Sequence, residues 1–199
     1  IMFLAAYDPI RGHLRTWSNK LFNQRGHQLH LALDGLMTEI NTVISIDTLT
    51  DLLLTRLHAS GRVSACSLYL WERGASAFTL RGHHQDGGPA PLPSVVAQPF
   101  GEAIPSLVQR ALEPEPDSEQ ANFNSLLDAM NAQLCLPLMY RGVVLGWLNL
   151  SEEEWAGGFS TEEKQQLLEL TERAAIILSN IRDFQLLEEE HRLATLGVM

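Results

Sequence analysis

Leu134-Cys135-Leu136-Pro137-Leu138-Met139-Tyr140, Arg141-Gly142, then Val143-Val144-Leu145-Gly146-Trp147-Leu148-Asn149-Leu150 reads as two strands joined by a two-residue hairpin connection. Residues 133–140 and 143–150 are almost unbroken apolar runs, the pattern of central strands covered on both faces. A similar pair lies upstream. Val63 to Trp71 is rich in residues that suit a pleated surface, Glu72-Arg73-Gly74 turns the chain, and Ala77 to His84 returns it. Between the pairs, Gly87 to Pro99 holds four prolines and two glycines and reads as loop, with room for a fifth or sixth strand in 92–98. A short helix is expected at about Gly101 to Leu112, a break at Glu113-Pro114-Glu115-Pro116-Asp117, and a helical turn or two over Asn124 to Asn131.

Helices flank these strands. Leu29, Leu33, Leu36, Ile40 and Val43 form one stripe at helical spacing, and Asp47 is expected to cap a second helix running to about Ser60. Ser160-Thr161-Glu162-Glu163 is a capping box that opens a helix with no proline through Met199 and a single glycine, Gly197. Along it Leu167, Leu170, Ala174, Ile177, Ile181 and Phe184 alternate steps of three and four, as a heptad seam requires. The next seam position would be Glu188. Apolar spacing resumes only if the frame restarts at Leu187, followed by His191 and Ala194, a three-residue slip that overwinds a supercoil. The order of elements predicts an α+β fold: an antiparallel five- to six-stranded sheet with its N- and C-terminal helices on one face.

Composition narrows the function classes. The chain of 199 residues is 45% hydrophobic and carries a net charge of −10, which supports a core and argues against a nucleic-acid surface. Residues 1–30 hold four bases against one acid, whereas 151–199 hold eleven acids against four bases. Cys66 and Cys135 sit inside apolar runs, the habit of buried free thiols in a reducing compartment. Ile1 to Tyr7 is far shorter than the ~20 residues that span a bilayer. The end of a transmembrane helix and an ordinary hydrophobic helix start both fit it.

The strand pair 134–150, followed by Phe159-Ser160-Thr161-Glu162-Glu163 and Ala174-Ala175-Ile176-Ile177-Leu178-Ser179-Asn180, resembles the GAF domain family over roughly residues 45–182. His191-Arg192-Leu193-Ala194-Thr195-Leu196-Gly197-Val198-Met199 resembles the opening of the dimerisation and phosphoacceptor helix of sensor histidine kinases. In that family the phosphorylated histidine follows later, so His191 does not correspond to it. Tyr7-Asp8-Pro9 to Arg25 is similar to the cytoplasmic linker between a membrane region and a GAF domain in such kinases. These resemblances imply a juxtamembrane-type linker at 1–28, a sensor domain at 29–182 with its core at 45–160, and a coiled-coil linker entering the dimerisation helix at 183–199. The implied role is the regulatory and dimerisation module of a two-component kinase. Its parent would be ATP-dependent, anchored in the bacterial inner membrane and partnered by a response regulator. The fragment itself, a cytoplasmic domain, is expected to have no enzymatic activity.

The residues expected to pair two copies into a homodimer are Leu33, Leu36, Ile40, Leu170, Ala174, Ile177, Ile181 and Phe184. Two readings of the heptad slip stand: it is the element through which the sensor would bias the kinase, or Glu188-Glu189-Glu190 is simply a solvated face. The family resemblance places a small-molecule pocket on the sheet face opposite the terminal helices, where His83, His84, Phe100 and Phe123 are the candidate lining residues. No carboxylate or cysteine stands at a partnering offset for a metal. Cys66 precedes Ser67 and Cys135 precedes Leu136, unlike the cysteine–histidine pair of bilin attachment, so no cofactor is expected. Two alternatives remain: a ligand-free structural spacer, and a GAF-fold, thiol-dependent methionine sulfoxide reductase.

Overall fold

Among the described residues six strands form one antiparallel sheet whose middle is built from the two pairs read above. The computed structural model describes residues 26–72, 76–87, 92–97, 105–110, 119–152 and 158–196. Strands β1 (Ala65–Glu72), β2 (Ala77–Gln85), β3 (Val95–Val96), β4 (Val108–Gln109), β5 (Leu134–Tyr140) and β6 (Val143–Ser151) lie in the order β3-β2-β1-β6-β5-β4. The central β1 and β6 pair antiparallel from Ala65 opposite Ser151 to Leu70 opposite Gly146. At the hairpin tip Arg141 and Gly142 have φ of 51° and 80°, the left-handed pair that a two-residue connection between twisted strands demands. Strand β4 replaces part of the helix expected over 101–112. Val108 and Gln109 pair with Cys135 and Leu134, so a sheet edge captured residues that local pattern left to a helix.

Helix α1 (residues 26–39) passes through a 3₁₀ turn, Ile40–Thr42, before α2 (Ile46–Ala59). The cap of α2 is Ser45, not Asp47: the Ser45 hydroxyl accepts from the Thr48 N–H at 3.1 Å, and Asp47 sits in the first turn, where the helix dipole favours an acid. Helix α3 (Glu119–Ala129) is longer than expected, and Asn131 beyond it takes φ of 48°. Helix α4 (Thr161–Leu196) runs 36 residues without interruption. No helix among the described residues is long and apolar enough to cross a membrane.

Strand alternation sorts the core into two layers. Cys66, Leu68, Leu70, Leu134, Leu136, Leu138, Leu148 and Leu150 meet α1, α2 and α4 on one face. Tyr69, Phe78, Cys135 and Trp147 point the other way, under Leu127 and Met130 at the end of α3. Helices α1 and α4 lie side by side and parallel. Gln166 bonds His30, and Arg173 donates to the Met37 carbonyl at 2.9 Å, two contacts with the same sequence offset of 136.

The start of α4 is held twice. Its capping box forms as the sequence suggests: the Glu163 N–H donates to the Ser160 hydroxyl at 3.1 Å, and the Ser160 N–H donates to the Glu163 carboxylate at 2.6 Å. The same carboxylate receives the Arg62 guanidinium, at 3.0 Å from Nε and 3.3 Å from Nη2. Arg62 also pairs with Glu152 through Nη1, donates from Nη2 to the Gly158 carbonyl at 2.8 Å, and lies 4.9 Å from the Phe159 ring centroid. The residue is 6% exposed. Burial works against its charge, but the Glu163 and Glu152 carboxylates outweigh that and hold its pKa above the usual range.

Candidate functional site

The sheet face opposite the terminal helices carries a packed aromatic layer. Phe78 sits between Trp71 and Trp147, with ring centroids 5.1 Å away on either side. Tyr69 is buried, and its hydroxyl donates to the Pro93 carbonyl at 2.8 Å, tying segment 92–97 to the sheet. Burial pushes the Tyr69 pKa up to about 12. Phe123, one of the expected lining residues, packs half-buried against this layer from α3. Phe100 lies outside the described residues.

Beside the aromatic layer, toward the end of α3, is a cavity of about 10 Å³, room for one water. Its walls include Ser67, His83, Leu92, Met130, Asn131 and Asn149. Asn149 is 1% exposed and donates from Nδ2 to the Ser67 hydroxyl at 3.2 Å and to the Met130 sulfur at 3.4 Å. Its Oδ1 has no hydrogen-bond partner among the described residues, so this buried acceptor favours a ligand or water that donates. The cavity shares Ala65, Gln85 and Asn131 with a polar groove of about 240 Å³ at the strand ends, where Arg110 and Asp128 pair at 3.0 Å. A lone amide in the apolar run 143–150 was the sequence signal for Asn149, and the expected pocket did not include it.

His83 and His84 do not form a pair. Neighbours in a strand face opposite ways. Both border the small cavity, but His83 lies opposite Ser67, whereas His84 lies opposite Cys66, whose side chain belongs to the helix-side core. The His84 ring stacks on His58 of α2 at 5.6 Å, with Nε2 3.5 Å from the Thr55 hydroxyl, and His58 reaches Asp86 at 3.0 Å. Among the described residues no group of three or more His, Cys, Asp or Glu is placed to hold a metal ion.

The seam residues are also placed differently from expectation. Leu33, Leu36, Ile40, Leu170, Ala174 and Ile181 are buried in the domain's own core, and Ile177 packs half-buried against it. Helical spacing identified a true stripe, but the sheet covers it. Arg182 makes one of the last attachments of α4, donating to the Trp71 carbonyl at 2.7 Å, and residues 183–195 are all exposed. Phe184 is 68% and Leu187 64% exposed. With about 100° of turn per residue, Phe184 falls beside the half-buried Ile177 at the edge of the buried stripe, whereas Ile176, Leu187 and His191 fall on the side of α4 away from it. The three-residue slip is thus where the apolar stripe passes from the core-facing side to the outward side.

Both thiols are buried and free. Cys66 donates to the Leu54 carbonyl at 3.5 Å, and Cys135 lies in the aromatic-side layer. Burial pushes each pKa up to about 12. The unfolded chain releases these protons near pH 9 and the folded chain only near pH 12, so the folded form holds more protons between and stability falls as pH rises through that window. Native protein at pH 8 is expected to resist iodoacetamide at both thiols, with alkylation by mass spectrometry appearing only in denaturant. Ready labelling in the native state would contradict this burial.

The sequence model of a domain family described as the GAF domain matches residues 45–178. No curated protein matches the chain. Among solved structures, the fold is similar to free methionine-R-sulfoxide reductase from Neisseria meningitidis at 13% identity and TM-score 0.59, covering 78% of this chain and 90% of that one. It is similar to the GAF domain of a phosphoenolpyruvate-protein phosphotransferase from Coxiella burnetii at 18% identity and TM-score 0.57, covering 80% and 98%. It is also similar to the chromophore-binding domain of Stigmatella aurantiaca bacteriophytochrome at 10% identity and TM-score 0.57, covering 76% and 60%. At such identities the likeness speaks for the fold alone.

Proposed function

The chain belongs to the GAF domain family, a sensory and regulatory fold, and on that footing we propose that it is the sensor and dimerisation module of a two-component histidine kinase. One observation carries the reading: α4 leaves the domain as an unbroken helix whose apolar residues are exposed beyond Ile181 and shift to its outward side after Phe184. Residues 183–195 extend about 20 Å. A helix of that length is marginal in water unless something covers it. Phe184, Leu187, His191 and Ala194 alternate steps of three and four, so a second copy could interlock with this line as a parallel pair. The segment resembling the kinase dimerisation helix follows in the same stretch, from His191. The parent is proposed to be anchored in the inner membrane, to move the γ-phosphoryl of ATP to a histidine beyond this segment, and then to pass it to a response regulator. The sensor module contributes no reaction chemistry, a reading that the buried thiols support against a thiol-dependent reductase.

The test is phosphate labelling of the parent protein with γ-labelled ATP, alongside sedimentation of this chain. Acid-labile, base-stable label is expected, as is a dimer that Leu187→Glu converts to monomer. Acid-stable label or none, or a chain that is monomeric at high concentration, would sink the proposal. A ligand-free spacer is the second reading, favoured by the aromatic layer that fills the sheet face opposite α1 and α4. A small molecule that raises the melting temperature would decide for the sensor.

A further inference from the structure

Arg62 ties the residue that follows β6 to the first turn of α4. On one side, Glu152 follows β6, and its N–H donates to the Gln133 side chain at 3.2 Å. One residue earlier, the Ser151 hydroxyl donates to the Asn131 carbonyl at 2.6 Å, at the end of α3. Two residues before that is Asn149 at the cavity, its Oδ1 without a hydrogen-bond partner among the described residues. On the other side, Glu163 is both the ion partner of Arg62 and half of the box that caps α4. The polar chain runs from the cavity wall through Ser151 and Glu152 to Arg62, then to Glu163 and the first turn of α4.

A buried ion cluster is a weak stabiliser, because desolvation consumes most of its attraction and apolar residues of equal volume often serve as well. What a guanidinium adds is direction: its fork fixes two carboxylates relative to one another. The buried Glu152 and the partly buried Glu163 carboxylates against one guanidinium leave a surplus negative charge, set where the N-terminus of α4 presents its positive end. Each component therefore depends on the position of the others.

We propose that Arg62 is the positioning residue through which the state of the cavity wall reaches the first turn of α4. The inference deepens the signalling reading and rests on it, because it names the contact by which the sheet would instruct the output helix. A shift of β6 on ligand entry moves Glu152, and the fork carries that movement to Glu163.

The test is amide hydrogen exchange on the full 199-residue chain. Ser151→Ala perturbs the wall without touching the ion cluster. It is expected to speed exchange over residues 161–166 several-fold while leaving the first turn of α2, residues 46–50, unchanged. Arg62→Lys keeps the charge but loses the fork. In that background Ser151→Ala should add less than a twofold change at 161–166. Glu152→Gln, which keeps the volume, should likewise silence the response if the lysine variant does not fold. A purely structural Arg62 would loosen the first turn by itself yet leave the Ser151→Ala increment intact. That result, or no response to Ser151→Ala in the unmodified chain, overturns the proposal. Neither readout involves phosphate transfer or dimerisation, so the relay and the kinase reading fail separately.

Discussion

Trp147→Ala is expected to lower the stability of the domain by about 3–5 kcal/mol. Trp147 is 1% exposed and sits at the middle of β6, against Phe78 on one side and under the end of α3 on the other. Its removal takes away the contact surface of an indole and leaves a void that Phe78, fixed in the sheet, cannot close. For a domain of this size each kcal/mol moves the melting temperature by roughly 2–4 °C, so a drop of order 10 °C should appear in a thermal scan. If the void persists, added indole should restore part of the loss, because a ligand that binds only the native state raises its stability. A loss below about 1 kcal/mol would show that α3 settles into the gap and that the aromatic layer does not fix the roof.

Gly146→Ala should cost nearly as much, about 3 kcal/mol, by overpacking. A Cβ there would lie 2.5 Å from both the Tyr69 carbonyl oxygen and Leu70 Cδ2. A side-chain end can rotate away, but a carbonyl held in the central β1–β6 ladder cannot. The strands would have to part along their most buried stretch. Urea unfolding would read the effect as a lower midpoint at unchanged slope. Gly82→Ala is a useful control, because the atoms it would meet, at 2.9 and 3.0 Å, are the side-chain ends Leu54 Cδ1 and Thr50 Cγ2. A Gly146→Ala loss no larger than this control's would show that the close approach is not rigid.

The hairpin 134–150 was legible because its signal is local: two apolar runs and a two-residue turn. The capping box at Ser160 and Glu163 was legible for the same reason. Periodicity also located the buried stripes of α1 and α4, but it could not say which body covers them. A stripe that meets a sheet and one that meets another helix share nearly the same spacing over a few turns, so residues buried in one domain read as a dimer seam. His83 and His84 were named together as lining residues, but the alternation of a strand turns neighbours to opposite faces. Arg62 carried no local mark at all, since its carboxylate partners lie 90 and 101 residues away. Val108 and Gln109 show the converse case, where a distant sheet edge set a conformation that neighbouring residues did not specify.

Parallel packing of α1 against α4 has a mechanical corollary. Helix α1 begins beside the first turn of α4, and α4 ends toward the opposite pole, so the two run in the same sense. A push or twist delivered along the incoming helix would be handed onward with its sense preserved. Units of this shape can be threaded in series like beads, each driving the next without a reversing gear.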